Sequence, residues 1–283
     1  MQLKQLLRLC TPIFLERQIR RLIDIRELNK TQALECDSTH LSAISEIALN
    51  EIFNLREIDE EWNKIKNTIG AFNIPDGTGG VNPGDRKAIY YLIKKLKPSS
   101  VLEVGTHIGA STLHIAAALS TNPIAENIKQ PNLTTVDLSD VNDPIEKPWL
   151  ECGIKYSPFE MTNKMNLGHL VDFVKDTSLG YFSKCEQQYD FIFLDGSHTA
   201  KTVYQEIPIA LNLLNEGGVI LLHDYFPKLK PLWPNGSVIP GPYLAIERLK
   251  SEGANLIASP LGELPWETKL HSKMTSLALL LKK

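Results

Sequence analysis

From Ser99 onward the chain alternates short apolar runs with helical stretches, and most of the runs end in an acid or a histidine. Segments 101–104, 133–136, 170–174, 191–194 and 219–222 read as strands, with two more at 254–258 and 274–281. Between them, 111–119, 199–214 and 243–252 read as helices, and Pro208 predicts a kink or break in the second. Such alternation implies an α/β fold, a largely parallel sheet with helices on both faces. Ligands of such sheets bind beyond the carboxyl ends of the strands. Asp137, Asp176, Asp195, His223 and Asp224 all fall at those ends.

The first part of the chain is different. Apolar residues at mixed three and four spacing predict a helix over 2–28, and a polar break follows at 29–39. A second helix is expected from Ser38 or Thr39 through Leu55, and a third through Trp62, Ile65 and Ile69. Residues 1–72 therefore read as a helical cap and 73–283 as the α/β domain. Residues 73–84 form a Gly/Pro-rich loop, either a connector or a gate over a site. Asp85 then serves as N-cap or first-turn residue of a helix over 86–96.

With 283 residues, the chain is long enough for one such domain and an extra helical layer. A net charge of -3 argues against a nucleic-acid partner. Cys10, Cys36, Cys152 and Cys185 are scattered without zinc-type spacing, which fits reduced thiols and a cytoplasmic location. No apolar run is long enough to span a bilayer, and 1–15 lacks the pattern of a signal peptide.

Three stretches carry the chemistry. The first is the turn Glu103-Val-Gly105-Thr106-His107-Ile-Gly109-Ala-Ser111, where glycines permit close approach to a ligand and the helix start offers free N–H groups. It is not the dinucleotide fingerprint, because His107 stands where the second glycine belongs; this counts against a nicotinamide cofactor. The second comprises Asp137, placed to accept both hydroxyls of a ribose or to cap a helix, and Asp176-Thr177-Ser178, which contacts an adenine amine or forms a turn. The third joins Asp195-Gly-Ser-His198 to His223-Asp224 on the next strand. Asp195, His223 and Asp224 can converge on a divalent cation. Two carboxylates suit Mg²⁺, and the histidine also suits Mn²⁺ or Fe²⁺. His198, one turn from Asp195, can take a proton from a hydroxyl. The bland alternative is helix capping by Asp195 and Ser197, with the others bonded to backbone.

Together these motifs resemble the class I S-adenosylmethionine-dependent methyltransferases, over roughly the last two-thirds of the chain. The glycine turn is similar to that of catechol-type O-methyltransferases. The Asp195–His198 and His223–Asp224 pairs resemble the metal-dependent macrolide-sugar O-methyltransferases. The resemblance implies a Rossmann-like, doubly wound, mostly parallel seven-stranded sheet with an antiparallel last strand. It implies S-adenosylmethionine held by Glu103, Gly105, Thr106, Gly109, Ser111, Asp137, Asp176, Thr177 and Asp195. It further implies a metal on Asp195, His223 and Asp224, a base at His198 and a small hydroxylated acceptor. Two departures stand out: His223 replaces the first acid of the family's acidic pair, and Tyr225 follows Asp224 where the catechol type has asparagine.

Competing readings are a nicotinamide-linked oxidoreductase, a cofactor-binding module without catalysis, and Mn or Fe chemistry with both histidines as ligands. Of the aromatic residues Tyr225, Phe226, Trp233, Tyr243 and Trp266 near the rim, most are expected to pack rather than bind. Lys201, Lys228 and Lys230 are expected to be solvated. The N-terminal helices are candidates for a lid or a contact between copies of the chain.

Overall fold

The computed structural model describes residues 13–43, 51–78, 80–122 and 132–283. In chain order the elements are α1 (Ile13–Asn29), α2 (Arg56–Gly70), α3 (Pro83–Leu96), β1 (Ser100–Val104), α4 (Ala110–Ser120), β2 (Asn132–Asp137), α5 (Pro148–Glu151), α6 (Pro158–Lys164) and β3 (Val171–Lys175). There follow α7 (Ser178–Phe182), β4 (Tyr189–Leu194), α8 (Ala200–Asn212), β5 (Leu214–Leu222), α9 (Gly241–Ser251), β6 (Leu256–Pro260) and β7 (Ala278–Lys282).

The seven strands form one sheet in the order β3-β2-β1-β4-β5-β7-β6. β1 to β5 are parallel, whereas β7 runs antiparallel to both β5 and β6 and lies between them. The chain order reverses at β1, which pairs with β2 on one side and β4 on the other. This is the switch point at which parallel sheets open a crevice for ligands.

Period-two alternation sends neighbouring side chains into two different cores. On β4 and β5, Phe191, Phe193, Val219 and Leu221 join the core beneath α3, α4 and α6. Ile192, Leu194, Ile220 and Leu222 join the core beneath α8 and α9, and Tyr189 joins them because the pairing shifts register between Tyr189 and Phe191. The N-terminal region contributes to both: Ile58 and Ile69 of α2 lie in the first core and Leu28 of α1 in the second.

Polar anchors tie α1 to the body. Asp24, buried, accepts the Ala200 backbone N–H at 3.0 Å and so caps α8 from outside. Arg17 donates to the Leu229 carbonyl and Arg248 to the Leu28 carbonyl. Its apolar residues Leu15, Ile19, Leu22 and Ile23 remain exposed.

One local expectation differs from the structure, and of the two that Pro208 allowed, a kink or a break, the break does not occur. No helix starts at Ser38 or Thr39: Asp37 turns the chain by accepting the Thr39 N–H, and Leu41 forms a parallel bridge with Gly218 of β5. That backbone pairing outweighs helix propensity there. The expected continuation through 44–50 and the start of the first helix, 2–12, lie outside the described residues. Pro208 does not break α8, which is assigned as one helix from Ala200 to Asn212 and packs Ala200, Val203, Tyr204, Ile207, Ala210 and Leu211 into the second core. Burial of that face outweighs the one lost N–H.

Candidate active site

The turn after β1 passes directly over the turn after β4. Gly105 has φ +100°, and a side chain there would overlap the Asp195 carbonyl. Gly109, at φ +73°, opens α4 and packs on the ring of Pro158. Both glycines are therefore required by close backbone approach as well as by conformation.

Glu103 lies below this turn, fully buried. Its carboxylate accepts hydroxyls from Ser111 at 2.5 Å, Thr112 at 2.5 Å and Thr135 at 2.7 Å. Burial raises its pKa to about 7 against the lowering effect of those three hydroxyls. Thr106 bonds Thr135 at 2.6 Å. Glu103, Thr106, Gly109 and Ser111 thus form the support of the turn and are absent from the lining of the cavity above it.

That cavity, of about 590 Å³, runs along the ends of β1, β2, β3 and β4 and is lined by Gly105, Asp137, Asp176, Thr177, Asp195 and His198, among others. Asp137 accepts the N–H of His107 at 2.8 Å and of Ser139 at 2.9 Å. Asp176 accepts from Lys184 at 3.0 Å and from the Thr177 N–H at 2.7 Å, and these bonds lower its pKa. The Thr177 side chain caps α7. His107 also lines the cavity, at φ +47°.

A second cavity, of about 550 Å³, lies beyond the ends of β4 and β5, with His223, Asp224, Phe226, Trp233, Asp76 and Glu267 in its wall. A third, of about 400 Å³, is lined by Ile19 and Ile23 of α1 together with His198 and Ile239. His198 is shared by the first and third, and Ile239 by the second and third.

Where the cavities converge, the charged groups crowd together. His198 Nε2 is 3.7 Å from Asp195 Oδ1 and 3.5 Å from Asp224 Oδ2. His223 Nδ1 is 2.7 Å from Asp195 Oδ1 and 3.7 Å from Asp224 Oδ1. Asp195, His198 and His223 can each direct one donor atom to within 4.8 Å of the other two. Asp224, at φ +54°, also receives the Ser276 hydroxyl at 3.3 Å.

His223 is 8% exposed, and despite these short distances neither of its ring nitrogens makes a hydrogen bond of acceptable geometry. Burial opposes a charge on the ring, but the carboxylates of Asp195, Asp224 and Asp85 outweigh it and hold the imidazole well above its ordinary range.

Asp85 lies in the first turn of α3, one of the two places the sequence allows, but its approach to His223 has no counterpart in the sequence reading. Asn82 is the cap of α3, accepting the Asp85 N–H at 3.0 Å, while Asp85 itself turns inward. It is fully buried, its Oδ2 lies 3.5 Å from His223 Nε2, and its Oδ1 has no partner. Its only sequence signal is an acid three residues after an asparagine, which also describes an ordinary helix start.

The aromatic residues mostly pack. Phe226 and Trp233 form a small core with Leu229 and Val238 that fixes the 226–242 loop, while also facing the second cavity. Trp266 donates to the Gly84 carbonyl at 2.9 Å, and Tyr225 packs on Tyr243. Lys201, Lys228 and Lys230 are exposed.

Residues 102–225 match the family model described as a methyltransferase domain. No curated protein matches the chain. Among solved structures, the O-methyltransferase TomG from Streptomyces achromogenes, involved in tomaymycin synthesis and solved with S-adenosylmethionine, is 17% identical, with a TM-score of 0.51 over 95% of this chain and 99% of that one. The O-methyltransferase from Bacillus cereus, in complex with S-adenosylhomocysteine, is 17% identical, with a TM-score of 0.50 over 80% of this chain and 91% of that one. The S-adenosylhomocysteine-bound methyltransferase PaMTH1 from Podospora anserina is 15% identical, with a TM-score of 0.50 over 89% of this chain and 99% of that one. At such identities the structures speak for the fold, and the family model for residues 102–225. Residues 102–225 thus match a methyltransferase domain, and the seven-stranded sheet that carries them has the methyltransferase Rossmann-like fold.

Proposed function

We propose that the protein methylates a hydroxyl of a small molecule, with S-adenosylmethionine in the first cavity, the acceptor in the second and a divalent cation between them. The observation that carries this reading is the convergence of the cavities on Asp195, His198, His223 and Asp224. Asp137 accepts the ribose hydroxyls, Gly105 lets the backbone approach the cofactor, and Asp176 and Thr177 border its base. The sulfonium methyl of the cofactor is already activated, so alignment is the main task left to the protein.

The side chains at the rim fit a divalent cation, because His223 and Asp85 carry buried atoms without partners inside a cluster of carboxylates. Asp195, His223 and Asp224 would hold it, and it would orient an acceptor oxygen and lower that oxygen's pKa, with Mg²⁺, Mn²⁺ and Fe²⁺ as candidates. Asp85 orients His223 from behind. His198 Nε2 faces the meeting point and accepts the acceptor's proton.

A second reading has its own observation. Asp195, His198 and His223 form a two-histidine, one-carboxylate set, the ligand pattern of non-heme iron sites. If His198 is a ligand, it cannot be the base. Metal analysis of the purified protein separates the two readings: bound iron favours this one.

No described helix is long and apolar enough to cross a membrane. The exposed apolar side of α1 fits a contact with a second copy of the chain, which light scattering would detect as a dimer.

The deciding experiment is calorimetric titration of S-adenosylmethionine and S-adenosylhomocysteine in EDTA and then in Mg²⁺ or Mn²⁺. One-site saturable binding supports the reading. Absence of binding by folded protein overturns it.

A further inference from the structure

α8 buries a carboxyl group that the proposed mechanism leaves unused. Glu206 is 1% exposed and has no cationic partner among the described residues. Its Oε1 receives the Ser178 hydroxyl at 2.5 Å, and no described residue donates to Oε2. Burial raises its pKa to about 7, against the lowering effect of Ser178.

Comparison with Glu103 shows why this is unusual. Both acids are buried, but Glu103 is satisfied by three hydroxyls and borders none of the three cavities described above, whereas Glu206 has one donor and lines the first cavity. A carboxyl group so placed is costly unless something else completes it.

Its position identifies that partner. Ser178 opens α7, directly after Asp176 and Thr177 at the end of β3. Through its bond to Ser178, Glu206 therefore borders the cavity on the β3 side, and in the strand order Asp137 at the end of β2 separates that side from the turn after β4 that carries His198. With the ribose on Asp137 and the sulfonium toward His198, this end receives the base. Asp176 is engaged there by Lys184 and by backbone, so the oxygen lacking a donor belongs to Glu206.

We propose that Glu206 accepts a hydrogen bond from the exocyclic amino group of adenine and makes the cavity selective for adenosyl over keto-purine cofactors. Ser178 is the positioning residue, holding one carboxyl oxygen so that the other faces the ring. This inference rests on the assignment of the first cavity to S-adenosylmethionine.

The test is calorimetry with S-adenosylhomocysteine and S-inosylhomocysteine, in which oxygen replaces the amino group. Wild type is expected to prefer the adenosyl compound by about tenfold to a hundredfold. Glu206→Leu, with its fold checked by thermal melting, loses most of that preference. If leucine is not tolerated, Glu206→Gln takes its place and gives a preference between that of wild type and unity. A wild-type preference in either folded variant overturns the proposal, as does its complete loss in Asp176→Asn alone. Failure of wild type to bind either compound removes the cofactor assignment itself, a result distinct from binding without selectivity.

Discussion

The two halves of the rim are built on opposite principles. After β2 and β3, each acid is already engaged: Asp137 accepts two backbone N–H groups, and Asp176 one backbone N–H and one lysine. After β4 and β5, Asp195, His198, His223 and Asp224 crowd together, with Asp85 behind them, and both His223 nitrogens lack hydrogen bonds. The first half is shaped in advance and has only to receive a ligand. The second holds buried polar atoms that stay without hydrogen-bond partners until something joins them. Groups that are costly to leave unpaired are the ones expected to perform chemistry.

Substitutions should therefore separate the halves by what they damage. His198→Ala is expected to slow turnover by about 10²–10⁴-fold while cofactor affinity stays the same. Steady-state kinetics beside calorimetry measure both, and normal turnover would remove the base from this half.

The next effect is on stability. Glu103 has a folded pKa of about 7 against an ordinary 4.5, so the folded state holds its proton more tightly than the unfolded one. Stability is then lost as pH rises from about 4.5 to 7, by at most about 3 kcal/mol. Glu103→Gln should flatten that decline, as read by denaturant melts at pH 5 and pH 8. Parallel curves for both proteins would show that Glu103 does not titrate in this range.

Asp137→Ala should weaken S-adenosylhomocysteine binding by about tenfold to a hundredfold with the fold intact. Unchanged affinity would move the ribose contact elsewhere. The smallest effect is expected from Asp85→Asn, which should lower Mn²⁺ affinity by about tenfold through a less firmly held His223. If affinity for the cation does not change, the unsatisfied Asp85 oxygen has nothing to do with a metal.

Most of the rim was legible in the sequence because an apolar strand followed by an acid is a local pattern. The five parallel strands, Asp137, Asp195 and the His223–Asp224 pair could each be read that way. Asp85 and Glu206 could not, since each sits in a helix where an acid normally faces water, and only packing against His223 or Ser178 turns it inward. Leu41 was misread for a related reason: its partner, Gly218, is far away in the chain. The insertion of β7 between β5 and β6 is equally non-local.

That insertion has a consequence for assembly. Among the described residues, β6 pairs with the sheet only through β7, so the place of Leu256–Pro260 in the sheet depends on Ala278–Lys282. The connection between these strands carries Glu267, Thr268 and Lys269, which wall the second cavity. The first cavity is lined from the ends of β1 to β4, whereas part of the second cavity's wall depends on this C-terminal strand pair. A chain halted before β7 would keep the lining of the first cavity and leave the Glu267–Lys269 side of the second unanchored.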